Sequence, residues 1–192
     1  SILLHPIVVP TIGVIFYFLL IPTRFIQSQK LAILGLVFIA TYFIPLLVLI
    51  ILKALNKISS FQVHTIKERK LPLAFMIVLF YLLGNSLYNI SQIKDIGLLF
   101  YATSFGLMLV YILFLFKLKT SLHLLSMGIA LGFYLLLSTL YSISFSTIII
   151  VLFLLSGLLG SARLYLKAHS PKEVYIGFII GIITPFIIQF IL

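Results

Sequence analysis

The chain of 192 residues is too apolar and too poor in charge for a water-soluble globule. Hydrophobic residues make up 63% of it and charged residues 8%, whereas a soluble domain has about 45–50% and about 25%. The composition therefore indicates an integral membrane protein, and it excludes a soluble enzyme, a secreted disulfide scaffold and a disordered chain.

Seven apolar runs predict seven transmembrane helices within a single transmembrane domain over residues 1–192. Each run approaches the length of about 20 residues that a helix needs to cross a hydrocarbon core. Runs that are apolar on all sides favour helices over a membrane barrel, whose strands alternate apolar and polar residues. The predicted fold class is all-α, a polytopic membrane helix bundle. The approximate bounds are 2–22, 31–52, 71–88, 96–116, 124–141, 145–166 and 171–192.

The first run differs from the others because prolines interrupt it. Pro6, Pro10 and Pro22 lie inside it or at its ends, which predicts a kinked or partly re-entrant helix. No basic flank precedes the run and no A-x-A site follows it, so we interpret it as a membrane segment rather than a signal peptide. The absence of an initiator Met leaves open that the N-terminus is trimmed.

Charged residues and histidines concentrate on one predicted membrane face. Because successive helices alternate in direction, the N-terminus and the loops after the second, fourth and sixth helices share that face. It carries ten of the 13 Lys and Arg residues and two of the three acids. All four histidines fall there as well: His5, His64, His123 and His169. We therefore expect the chemistry of the protein on this face.

The net charge of +10 favours membrane lipids over nucleic acid as partners, because the cationic loops lie between apolar runs. Such loops are typical of contacts to anionic headgroups or to phosphate. The chain has no Cys, which excludes thiolate catalysis and thiolate metal sites. The histidine spacing also lacks the zinc-binding pattern of two histidines and an acid on one helix. We expect neither a metal nor another cofactor.

The turn between the sixth and seventh predicted helices carries the strongest candidate chemistry. Arg163 can donate planar, bidentate hydrogen bonds to phosphate oxygens. The imidazole of His169 can attack phosphorus, and the carboxylate of Glu173 can fix its tautomer and stabilise its cation. The structural alternative is that Glu173 only completes a capping box with Ser170.

Two further stretches of sequence could contact an anion. Ser121 can hold a phosphate oxygen and His123 can protonate a leaving group; the alternative is a helix N-cap followed by an interfacial histidine. The run 67–72 surrounds Glu68 with three cations, Lys67, Arg69 and Lys70. It fits either an anion clamp or a solvated loop beside the membrane.

The pattern Arg-x5-His-x-Pro-x-Glu resembles the third signature of the type 2 phosphatidic acid phosphatase superfamily, which runs Ser-Arg, five residues, His, three residues, Asp. Both spacings match, but Ala162 separates Ser161 from Arg163, and Glu173 replaces Asp. The run 120–123 is similar to the second signature, Pro-Ser-Gly-His, in its Ser and His. The run 67–72 resembles the first, Lys-x6-Arg-Pro, only loosely. The resemblance is specific over about residues 117–181 and suggests a divergent bacterial branch.

This resemblance implies a lipid phosphate phosphatase with a six-helix core plus one helix, acting on an anionic lipid phosphate without a metal. It makes His169 the nucleophile that forms a phosphohistidine, Glu173 its orienting acid, and His123 the general acid for the leaving oxygen. The residues implied to hold the phosphoryl group are Arg163, Ser121, Lys67 and Arg69.

The incomplete first and second signatures favour an alternative. It is a non-catalytic relative that binds or moves an anionic lipid, or a small subunit of a larger membrane complex. The predicted location is the bacterial cytoplasmic (inner) membrane. The positive-inside rule puts the histidine face in the cytoplasm, whereas most members of the superfamily act on the outer face, so the side stays open.

Overall fold

The computed structural model describes residues 8–61 and 65–192. Over these residues the chain forms helices and no strand. Six of the described helices, α2 to α7, are long and apolar enough to cross a membrane, while α1 has 12 residues. Their length and composition make this a multi-pass membrane-spanning protein. The bounds are α1 Val9–Leu20, α2 Gln27–Ala54, α3 Ile66–Tyr88, α4 Lys94–Leu115, α5 Leu122–Tyr141, α6 Ser146–Tyr165 and α7 Pro171–Ile191.

The first helix is shorter than the predicted run. At a rise of about 1.5 Å per residue, 12 residues extend about 18 Å, less than the thickness of a hydrocarbon core. The predicted start of the run and Pro6 lie outside the described residues. Within the described part, Pro10 occupies the first turn of α1, where a missing N–H costs nothing.

Helix α2 contains one π turn, at Ile39–Phe43, directly before Pro45. A proline ring clashes with the carbonyl four residues earlier, here that of Thr41, and a wider turn relieves this crowding. The Thr41 hydroxyl lies 2.7 Å from the Thr11 hydroxyl. This hydrogen bond fastens α1 to the middle of α2.

Helices α5 and α7 form the most extensive helix contact of the described bundle. A Cβ atom on Gly177 would lie 2.6 Å from the carbonyl oxygen of Ser121, and one on Gly181 would lie 2.9 Å from the Cα atom of Gly128. The glycines therefore let the two backbones touch, as the small-x3-small spacing predicts. The four glycines of this contact are Gly128, Gly132, Gly177 and Gly181.

Replacing Gly181 with Ala is expected to destabilise the bundle by about 1–3 kcal/mol, because the added methyl group would overlap backbone atoms of α5. Gly157→Ala is the matched control. A Cβ atom there meets nothing within 4 Å, so the control should be neutral or stabilising. Thermal unfolding in one detergent would measure both variants. Equal midpoints would contradict the close contact.

At the end of the bundle opposite to the predicted site, a buried acid joins three helices. Asp95 is 5% exposed and accepts hydrogen bonds on its Oδ2 atom from Tyr17 at 3.1 Å and Tyr141 at 2.5 Å. The Tyr134 hydroxyl donates to the carbonyl of Gly13 at 2.8 Å. These bonds fix α1 against α4 and α5.

Candidate functional site

The connections α4–α5 and α6–α7 meet at one end of the bundle. The backbone N–H of Ser121 donates to the carbonyl of Glu173 at 3.2 Å, and Lys119 Nζ donates to the carbonyl of Ala168 at 3.3 Å. The first turn of α3 joins them, since Arg69 lies within electrostatic range of Arg163 and Glu173. The loops that helix alternation assigns to one face therefore share one end of the molecule.

His169 and Glu173 form a close pair at the start of α7. The Nδ1 atom of His169 lies 2.6 Å from Oε2 of Glu173, and the two side chains are 2% and 23% exposed. The Ser170 hydroxyl caps the helix by accepting the Glu173 backbone N–H at 3.4 Å. The Glu173 carboxylate itself bonds to the imidazole of His169, so the role of this acid is not limited to capping α7.

The pairing with Glu173 fixes which nitrogen of His169 faces outward. An ionised carboxylate accepts a hydrogen bond, so Nδ1 carries the proton and Nε2 presents its lone pair. Burial lowers the pKa of His169, and the positive charges of Lys119 and Arg163 act in the same direction. The hydrogen bond to Glu173 opposes this shift. The imidazole is therefore neutral at neutral pH, as a nitrogen nucleophile must be.

The His169 imidazole should titrate below the usual value of about 6.5. Lys119→Met should raise its pKa, because a nearby cation is removed, and Glu173→Gln should lower it further. Since the unfolded histidine binds its proton more readily, this group's contribution to stability falls as pH drops below about 6.5. NMR of labelled histidine would measure the midpoints, with Lys94→Met at the opposite end as control. Unchanged midpoints in both test variants would contradict the arrangement.

A largely apolar cavity of about 240 Å³ adjoins this cluster. Side chains of α1 to α5 form its apolar walls. Charged and titratable groups lie at one end, and the wall there includes Arg69, His123, Arg163 and His169. A cationic end on an apolar cavity matches a ligand with an anionic head and a hydrocarbon body.

Three buried polar atoms lie near this end without a hydrogen-bond partner among the described residues. They are Nε of Arg163 and the hydroxyl oxygens of Thr120 and Ser121. A buried polar group without a partner costs about 1–3 kcal/mol. An anion at the start of α5 and the end of α6 would satisfy such donors.

The run 67–72 divides into residues with different surroundings. Glu68 completes a capping box with Thr65 at the start of α3 and also accepts the backbone N–H of Ser59 at 2.8 Å. Arg69 reaches the cavity, whereas Lys67 is exposed and outside the cavity wall. The run therefore supplies one cation to the cavity wall, Arg69, rather than a clamp of three cations.

The predicted site residues lie on the cavity wall, behind that wall, or, for Lys67, exposed on the surface. Those on the cavity wall are Arg69, His123, Arg163 and His169. Glu173 lies behind His169, and Ser121 is buried with its backbone tied to Glu173. Histidines 5 and 64 lie outside the described residues. Sequence reasoning did not assign Lys119 to the site, although it precedes Ser121 and His123 by only a few residues.

No family model, curated protein or solved structure matches this chain. The geometry alone therefore defines the class: a multi-pass helical membrane protein with a His–Glu pair, whose imidazole is buried, and two arginines at one end of an apolar cavity.

Proposed function

We propose that the protein is an integral membrane phosphatase that hydrolyses a lipid phosphate or diphosphate ester through a phosphohistidine at His169. The observation that carries the proposal is the 2.6 Å pairing of His169 with Glu173 at the cationic end of an apolar cavity. A neutral, oriented imidazole beside two guanidinium groups is suited to attack on phosphorus.

In the first step, Nε2 of His169 forms a bond to phosphorus while the bond from phosphorus to the lipid oxygen breaks. Glu173 stabilises the imidazolium that develops, since its carboxylate accepts the Nδ1 proton in a hydrogen bond. His123 gives a proton to the leaving oxygen. Arg69 and Arg163 neutralise the charge on the remaining phosphoryl oxygens.

In the second step, water attacks the phosphohistidine. His123, now deprotonated, accepts a proton from that water, the nitrogen–phosphorus bond breaks, and inorganic phosphate leaves. Lys119 and Ser121 lie beside the pair, since Lys119 donates to the carbonyl of Ala168, directly before His169, and the Ser121 N–H donates to the carbonyl of Glu173. Their side chains could therefore assist by donating hydrogen bonds to the phosphoryl group. Lys67 has no part in this scheme.

The proposal extends to the fold and location. Helices α2 to α7 would form a six-helix phosphatase-like core in a bacterial inner membrane, and α1, whose 12 described residues are too short to cross the hydrocarbon core, would be an additional helix packed against it. The resemblance between this chain and the phosphatase superfamily supports that architecture. The excess of basic residues on the site face supports a cytoplasmic site.

The rival function is binding or transport of an anionic lipid without hydrolysis, alone or as a subunit of a membrane complex. The exposed position of Lys67 favours this function. The first signature includes a lysine, and Lys67, its counterpart here, does not reach the cavity. The rival function would use the same cavity and the same arginines, but it would not require Glu173 behind His169.

Phosphate release by the purified protein separates the two functions. The substrates are phosphatidic acid, its one-chain form, and polyprenyl phosphate and diphosphate, with glycerol phosphate as a chainless control. We expect release from at least one lipid and none from glycerol phosphate, with Lys94→Met unchanged. Binding of these lipids without any release would favour the rival.

A further inference from the structure

The cavity is deep along the helices. Its wall on α5 runs from His123 to Tyr134, and its wall on α3 runs from Arg69 to Phe80. Each stretch rises about 16 Å, since an α-helix rises about 1.5 Å per residue. This is about half of the 30 Å hydrocarbon core, which is the depth of one leaflet.

A second apolar cavity, which Gly13 and Tyr134 also line, lies beside this one, and packed side chains bound the deep end of the first. Leu99, Phe133 and Tyr134 all line it and are buried. The Tyr134 hydroxyl is fixed to the carbonyl of Gly13, and the ring of Phe133 contacts that of Tyr17. Beyond them lies the Asp95 cluster that joins α1, α4 and α5. A hydrocarbon chain whose headgroup lies at the arginines therefore meets these packed side chains at the deep end of the cavity.

The width of the cavity matches one hydrocarbon chain. Its volume is about 240 Å³, and a cavity of about 150 Å³ in another protein holds a single benzene molecule. Spread over a depth of about 16 Å, this volume leaves no room for two chains side by side.

We infer that the cavity binds one hydrocarbon chain of a lipid phosphate and that its deep end, at Gly13 and Leu99, limits the length of that chain. The position of the headgroup rests on the proposed function, but chain binding does not require hydrolysis. The protein thus selects its lipid by chain length as well as by phosphate.

Gly13 offers a direct way to shorten the cavity. A Cβ atom on Gly13 would meet only Cδ2 of Leu99, at 3.8 Å, which is an ordinary van der Waals contact. Leu99 lines this cavity, so a larger side chain at position 13 would extend into the deep end without displacing backbone. Gly157→Leu is the matched control, because a Cβ atom there meets nothing within 4 Å.

Hexyl-, dodecyl- and hexadecylphosphonate are suitable probes, since a carbon–phosphorus bond does not undergo ester hydrolysis. Calorimetry in one detergent would give their dissociation constants. In the parent, affinity should rise from hexyl to dodecyl and then stop rising. Gly13→Leu should displace about three methylene groups and weaken dodecylphosphonate roughly 60-fold, at about fourfold per methylene, while hexylphosphonate keeps its affinity.

The control and a smaller substitution complete the test. Gly157→Leu should leave all three affinities unchanged. Gly13→Ala should weaken binding of the dodecyl probe by less than Gly13→Leu does. The alanine variant keeps the test valid if Gly13→Leu does not fold. Equal weakening of hexyl and dodecyl probes, or the same chain dependence in every variant, would overturn the inference. Phosphate release without chain selectivity would refute only this inference, and chain selectivity without release would refute only the phosphatase.

Discussion

His169→Ala is expected to abolish phosphate release, whereas His123→Ala should slow it by about 10²–10⁴-fold. The first variant lacks the imidazole that attacks phosphorus in the proposed mechanism. The second keeps the nucleophile but loses both the proton donor for the leaving lipid alkoxide and the base that accepts a proton from water in the second step. Phosphate release from the best lipid substrate would measure both rates.

The leaving group distinguishes the two histidines. A substrate whose leaving group has a low pKa needs little protonation, so an aryl phosphate ester should be partly spared in His123→Ala but not in His169→Ala. Lys94→Met, at the other end of the bundle, is the control. If both histidine variants hydrolyse the aryl ester at the parent rate, neither histidine is catalytic.

Glu173→Gln should lower kcat by about 10²–10⁴-fold with little change in KM. The amide can still accept the Nδ1 proton in a hydrogen bond, but it cannot stabilise the imidazolium, and its free rotation can present the wrong group to the ring. Folding should be preserved, because the Ser170 cap binds the backbone N–H of residue 173 and not its side chain.

Glu68→Gln is the matched control for this variant. Both acids occupy the third helical position after an N-cap, but Glu68 belongs to a capping box on α3, a role that glutamine also fills. Glu68→Gln should therefore leave kcat unchanged. Steady-state kinetics and thermal unfolding on the two variants would test the difference. Equal kcat values for both variants and the parent would reduce Glu173 to a capping residue.

The apolar runs predicted the helices because a span must be apolar over its whole length, and this leaves a clear pattern in sequence. Their starts were less accurate. Helix α2 begins at Gln27 and α3 at Ile66, four and five residues before the apolar runs, since the polar first turns extend beyond the apolar core. The pair Thr65 and Glu68 carried the available signal, a capping box.

The pairing of His169 and Glu173 was predictable because the two are close in sequence, with His169 in the turn directly before α7 and Glu173 in the first turn of that helix. The choice between Lys67 and Arg69 was not, since two residues apart on a helix face different directions and only the tertiary structure shows which one meets the cavity. Two further features could not be predicted from the sequence: the contact between Lys119 and Ala168, and the Asp95 cluster. Both join segments that are distant in sequence, and no local spacing encodes such contacts.

Trapping the covalent intermediate tests the central claim most directly. The purified protein, mixed briefly with a lipid substrate carrying radiolabelled phosphate and quenched in base, should retain label that is stable to base and lost in acid, as expected of a phosphohistidine. Peptide mapping should place it on His169, and His123→Ala should form it more slowly. Phosphate release without labelled protein, or label on a residue other than His169, would contradict the proposed mechanism.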